Sequence, residues 1–134
     1  MRARLRRAAG LWRDAFAVLL FLRHALILER LRVGAGPRPA VQFARGLAKG
    51  RSVRSAAARQ SLRHIIAIVD RCWTGGPNCY RRVLFEVAMD RGAAGELVHL
   101  GLDDSGEIGS GHAWLGASTA PDGGGRSYKA IISV

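Results

Sequence analysis

Cysteine is scarce in these 134 residues, with Cys72 and Cys79 the only two. That excludes a secreted scaffold stapled by several disulfides and makes a reduced, cytoplasmic setting the expectation. Acidic residues are scarce near the start: residues 1–63 carry Asp14 and Glu29 against 15 Lys and Arg, a balance of +13, and since the whole chain is +11, residues 64–134 carry −2. Long apolar runs are missing too. The run Ala15 to Leu22 is followed by Arg23, His24, Glu29 and Arg30, well short of the roughly 20 residues that a bilayer span needs, and no small-residue cleavage site follows it. Aromatic residues make up only 7% and are not interleaved with the basic ones, so there is no stacking platform for single-stranded nucleic acid and no reading-helix motif. Nor is there a phosphate loop, because Gly123-Gly124-Gly125 precedes a strand pattern where a Walker-type loop would open a helix.

What is there fits one domain, 1–134, whose 49% hydrophobic content supplies a single ordinary core. Leu5 to Val33 contains no proline and one glycine, Gly10, and predicts one long amphipathic, mostly buried helix or two abutting ones. Trp12, Phe16, Phe21 and Phe43 sit among apolar residues and are assigned to the core. Gly34, Gly36, Pro37 and Pro39 break the helix, and a short one follows over Ala40 to Leu47. Leu62, Ile65, Ile66 and Val69 then fall at i, i+3, i+4 and i+7, the stripe of a third helix with Arg59 and Arg63 off it and a buried Cys72 at its end. After Gly75-Gly76-Pro77, Asn78 is a good N-cap for a helix that begins at Cys79 and is closed by Gly92. Glu96 to Leu102, Gly111 to Ser118 and Ser127 to Val134 read as three strands. The expected class is α+β: a basic helical region, 1–52, then a core, 53–134, of one helix packed on a small antiparallel sheet.

Chemistry centres on Cys79. A thiol in the first turn of a helix meets free backbone N–H groups and the positive end of the macrodipole, and both favour thiolate. His112 opens an apolar strand directly after Gly109-Ser110-Gly111, which lets its imidazole project towards that helix start. Thiolate, imidazole and a third group to orient the ring form the recurring cysteine-nucleophile arrangement. Asp122, in the turn between the last two strands, is the candidate third member, with Asp103 and Asp104 as alternatives. His24 and His64 lie within helices and His99 in mid-strand, so all three read as structural.

Asn78-Cys79 with its helix, Arg91 to Val98 running into a strand, and Gly111-His112-Ala113-Trp114 together resemble the transglutaminase-like peptidases of lasso-peptide biosynthesis, in particular the stand-alone peptidase half of the split maturation protein. The resemblance covers Cys72 to Trp114 and departs from the family at Tyr80, at Leu115-Gly116 and in the turn Ala120 to Gly125. It implies a papain-like cysteine peptidase with Cys79, His112 and Asp122 as catalytic residues, cutting the leader from a ribosomal precursor peptide. A leader-binding protein and a macrolactam cyclase would be its partners. It implies no cofactor bound by this chain, any ATP requirement belonging to a partner. The basic region 1–52 would dock a partner, with peripheral membrane contact as the lesser alternative and no specific nucleic acid. The competing class is a module without catalysis: a basic nucleic-acid binder, or a zinc-stabilised domain using Cys72, Cys79, His99 and His112.

Overall fold

The computed structural model describes residues 2–103, 111–116 and 128–134. Five helices precede a small sheet: α1 Arg2–Gly34, α2 Pro37–Ala48, α3 Ala56–Arg71, α4 Cys79–Met89, α5 Arg91–Ala94, then β1 Val98–Asp103, β2 Gly111–Leu115 and β3 Tyr128–Ser133. The strands are antiparallel in the order β2-β1-β3, so β1 is central and β2 lies at one edge. The α+β class expected from the sequence is therefore observed.

Boundaries differ from expectation where local chemistry decides them. Pro37 and Pro39 start α2 and do not break the chain there, because the first turn of a helix leaves its N–H groups without intrahelical partners and loses nothing when proline removes them. The helix from Cys79 ends at Met89, short of Gly92: Asp90 adopts an extended conformation, and its carboxylate accepts the Gly92 N–H at 2.9 Å to start α5. β2 stops at Leu115 because Gly116 turns the chain at φ 85°, a conformation that suits glycine. Residues 96 and 97, expected in the first strand, precede it: the Glu96 N–H bonds back to the Ala93 carbonyl of α5, and the Leu97 carbonyl accepts the Gly116 N–H at 3.0 Å.

One apolar core joins every layer. Val18, Phe21, Ala25 and Leu28 of α1 meet Val41 and Ala44 of α2, Leu62 and Ile66 of α3, and the buried side of α4. Val98 and Ala113 bring one face of the sheet into the same cluster. α4 is the hub: every residue from Val83 to Met89 is buried. Phe85 meets Phe21 and Trp73 edge-on, at ring separations of 5.3 and 5.8 Å, a favoured arrangement of aromatic quadrupoles.

Three core assignments fail. Trp12 and Phe16 are exposed on α1, because they lie on the side of the helix opposite Phe21. Cys72 is exposed as well, one residue past the end of the α-helix at Arg71. Arginines do much of the tying instead. Arg45 donates to the carbonyls of Ala94, Glu96 and Val134 at 2.9 to 3.1 Å, clamping α2 to the far end of the sheet. Arg59 and Arg63 both reach the buried Glu86, joining α3 to α4.

Candidate active site

Cys79 is the first residue of α4, as the N-cap signal predicts: the Asn78 side chain accepts the Arg81 N–H at 2.9 Å. The turn before it needs glycine, for Gly75 and Gly76 sit at φ 91° and 80°, where other residues are strained. Beneath this turn lies the Asp70 carboxylate, which is fully buried. It accepts the Asn78 N–H at 2.9 Å, Arg81 Nη1 at 2.7 Å and Arg82 Nε at 2.6 Å. Arg81, itself buried, also donates to the Gly76 carbonyl at 2.9 Å and stacks over Trp73 at 5.3 Å from the ring centre. Its remaining edge meets Glu29 of α1 at 3.0 and 3.2 Å. Partial burial of Glu29 alone would raise its pKa, but hydrogen bonds from Arg32 and Arg81 outweigh that and lower it to about 2. Charge-assisted bonds of this kind hold the start of α4 rigidly.

The thiol of Cys79 donates to the carbonyl of Gly111, with sulfur 3.7 Å from oxygen. Gly111 opens β2 and His112 follows it. Register fixes the faces of this strand. Ala113 pairs with Leu100 and faces the core, whereas His112 pairs with Gly101 and shares its face with Trp114. The Trp114 ring stacks with His112 at 5.9 Å and with His99 at 5.5 Å, so the indole packs between the two imidazoles on the face of the sheet opposite Ala113. His99 is held at both ring nitrogens, by Ser133 Oγ at 2.8 Å and by the Gly116 carbonyl at 3.0 Å, which is the structural role expected of it.

Cys79 and His112 together line two clefts. The larger, about 520 Å³, runs toward the sheet past Arg32, Tyr80, Ile131 and Ile132. The smaller, about 360 Å³, runs toward α3 and α4 past Arg63, Arg82 and Glu86. Cys79, His112 and Ala113 are common to both. Tyr80 donates its hydroxyl to the Pro37 carbonyl at 3.1 Å, and burial pushes its pKa up to about 12. It therefore stays a neutral tether between α2 and the start of α4.

Asp122 and Asp104 lie outside the described residues, and of Asp103 only the backbone, in β1, is described. The four zinc-ligand candidates are not gathered: Cys72 is exposed at the end of α3 and both ring nitrogens of His99 are engaged. Among the described residues no three His, Cys, Asp or Glu side chains stand close enough to hold a metal ion. Sequence reasoning missed Asp70, Arg81 and Glu29. The available signal was an acid eight residues before an N-cap asparagine and an arginine three after it, but only the fold shows that they meet. No family model, curated protein or solved structure matches the chain.

Proposed function

We propose that this chain is a cytoplasmic cysteine peptidase of the transglutaminase-like type, with Cys79 as nucleophile and His112 as general base and acid, and that it removes the leader from a lasso-peptide precursor. One observation carries the reading: the Cys79 sulfur, at a helix start, touches the backbone one residue from His112 at the point where two clefts meet. An extended peptide crossing from one cleft to the other would place its scissile carbonyl at the sulfur.

In this mechanism His112 takes the thiol proton, and the thiolate adds to the carbonyl carbon. The tetrahedral oxyanion is stabilised by the Cys79 backbone N–H. Its collapse expels the amine, which receives the proton from the imidazole, and leaves a thioester on Cys79. Water, deprotonated by His112, then hydrolyses the thioester to a carboxylate and returns the thiol. Asp122 is proposed to orient the imidazole. The leader-binding protein supplies the precursor, and the cyclase closes the released core peptide.

The test is cleavage of a precursor by the purified chain with its leader-binding partner. Cys79→Ala should abolish cleavage with folding and partner binding unchanged, and His112→Ala should do the same. Activity retained in Cys79→Ala and lost in Cys72→Ala would remove the nucleophile assignment. A second reading, a basic nucleic-acid-binding module, draws on a separate cleft of about 530 Å³ lined by Arg13, Arg51 and Arg54. A sub-micromolar nucleic-acid complex at physiological salt that Arg51→Gln abolishes, with peptide cleavage untouched, would favour it.

A further inference from the structure

α1 carries large apolar side chains on two opposite sides between Trp12 and Val33. Its inward side places Val18, Phe21, Ala25 and Leu28 in the core. Its outward side exposes Trp12 at 77%, Phe16 at 63%, and Leu19, Leu20, Leu26, Ile27 and Val33 beside them. At 3.6 residues per turn these seven fall within an arc of about 140° and run about 31 Å along the helix. Large apolar side chains scattered singly over a surface need no explanation, but seven along one side of a helix, interrupted by Arg23 and Arg30, do. An apolar stripe crossed by arginines, on a helix face that the fold leaves open, marks a contact with something outside the chain, protein or lipid, and here the fold covers only the opposite face.

The charges narrow what covers the other. Arg13, Arg23 and Arg30 are exposed on this helix. Arg23 and Arg30 are seven residues apart and rise within the stripe itself. The described carboxylate of α1, Glu29, is held by Arg32 and Arg81 and turned away from it. A second copy of the chain would set these arginines against each other in molecules of net charge +11. A rigid partner protein would need a groove as long as the stripe to bury this convex ridge, whereas a fluid headgroup layer moulds to it. No described helix is long and apolar enough to cross a membrane, so the helix would lie in the plane of the interface.

We propose that α1 is a peripheral membrane-binding helix whose outward stripe, Trp12 to Val33, sits in the headgroup region of an anionic bilayer. Trp12 and Phe16 take the amphipathic boundary, the leucines and Ile27 enter the acyl edge, and Arg23 and Arg30 extend their stems over the apolar row to reach lipid phosphates. The inference is independent of the peptidase reading.

The experiment is flotation of the full-length chain with vesicles of phosphatidylcholine alone or with one-third phosphatidylglycerol. Binding to the anionic vesicles is expected, weakening as salt rises. Arg23→Gln with Arg30→Gln should weaken it about thirtyfold. Phe16→Ser with Leu20→Ser should abolish it while circular dichroism and the melting curve stay unchanged, since neither side chain is in the core. The proposal is overturned if the folded protein ignores both vesicles, or if binding survives Phe16→Ser with Leu20→Ser and is therefore charge alone. It is equally overturned if sedimentation shows a dimer that the same pair of changes splits, or if a glutamate-bearing amphipathic peptide binds the stripe and vesicles do not.

Discussion

Arg81 and Asp70 form an ion pair at 2.7 Å with both side chains sealed from water, one 3% and the other 0% exposed. The pair sits directly under the turn that presents Cys79, and Asp70 takes the Asn78 N–H as well. Breaking a buried pair from one side leaves the other charge stranded, at a cost of about 3–5 kcal/mol. Asp70→Asn is therefore expected to lower unfolding stability by that order in urea denaturation. The surviving folded fraction should show slower alkylation of Cys79, because the turn no longer holds the sulfur in place.

The two thiols give a direct contrast. Cys72 is exposed and Cys79 is only half-buried, so access alone favours Cys72. The activation by His112 proposed above would favour Cys79, and at pH 6 to 7 its modification by iodoacetamide, read by mass spectrometry, should then outpace that of Cys72. In His112→Ala the order should reverse. Faster labelling of Cys72 in the unaltered protein would count against an activated Cys79.

Glu29 makes stability depend on acid in a defined direction. Its folded pKa of about 2 lies below the ordinary value of 4.5. Its contribution is thus complete above 4.5 and is lost as pH falls from there through 2, a loss that solvent screening of this partly exposed carboxylate holds to about 1–2 kcal/mol. Glu29→Gln should be destabilised by this amount near pH 7, and its melting temperature should converge on that of the parent as the solution approaches pH 2. A constant difference across that range would mean that Glu29 acts through packing and not through its charge.

Arg45 and Arg51 look alike in the sequence and should behave differently. Arg45 donates to three carbonyls, at the end of α5, in the loop after it and just past β3, so Arg45→Gln should cost about 2 kcal/mol in thermal unfolding. Partial burial beside Arg54 lowers the pKa of Arg51, and removing its charge relieves repulsion, so Arg51→Gln should leave stability unchanged or slightly raised. Equal losses from the two would contradict the clamp.

Much of the site was readable because its signals are local. Asn78 as N-cap, the glycines before it and the Gly111-His112 strand start each report on a few neighbouring residues, and the structure puts the elements where those signals say. The short helix at Asp90 was misread because Arg91-Gly92 imitates a helix end, whereas the outcome turned on an aspartate bonding two residues ahead. The face of α1 was misread for a deeper reason: with apolar residues on both sides, periodicity cannot say which side is inward. The Asp70, Arg81 and Glu29 network brings together positions up to 52 residues apart, and nothing in spacing announces such a meeting. The bonds from Arg45 to carbonyls 49 to 89 residues away go unannounced for the same reason.

The burial of α4 sets an order of opening for the whole molecule. Amides in a helix whose side chains are enclosed from Val83 to Met89 exchange with solvent only when large parts of the fold separate. β3, at the other edge of the sheet with Ile131 and Ile132 exposed, is expected to loosen before α4, short of the end that His99 and Arg45 hold through Ser133 and Val134, which would widen the larger cleft. Deuterium uptake should therefore reach Ile131 and Ile132 while the α4 backbone is still protected, so the thiol stays anchored to the last element to yield as the wall facing it breathes.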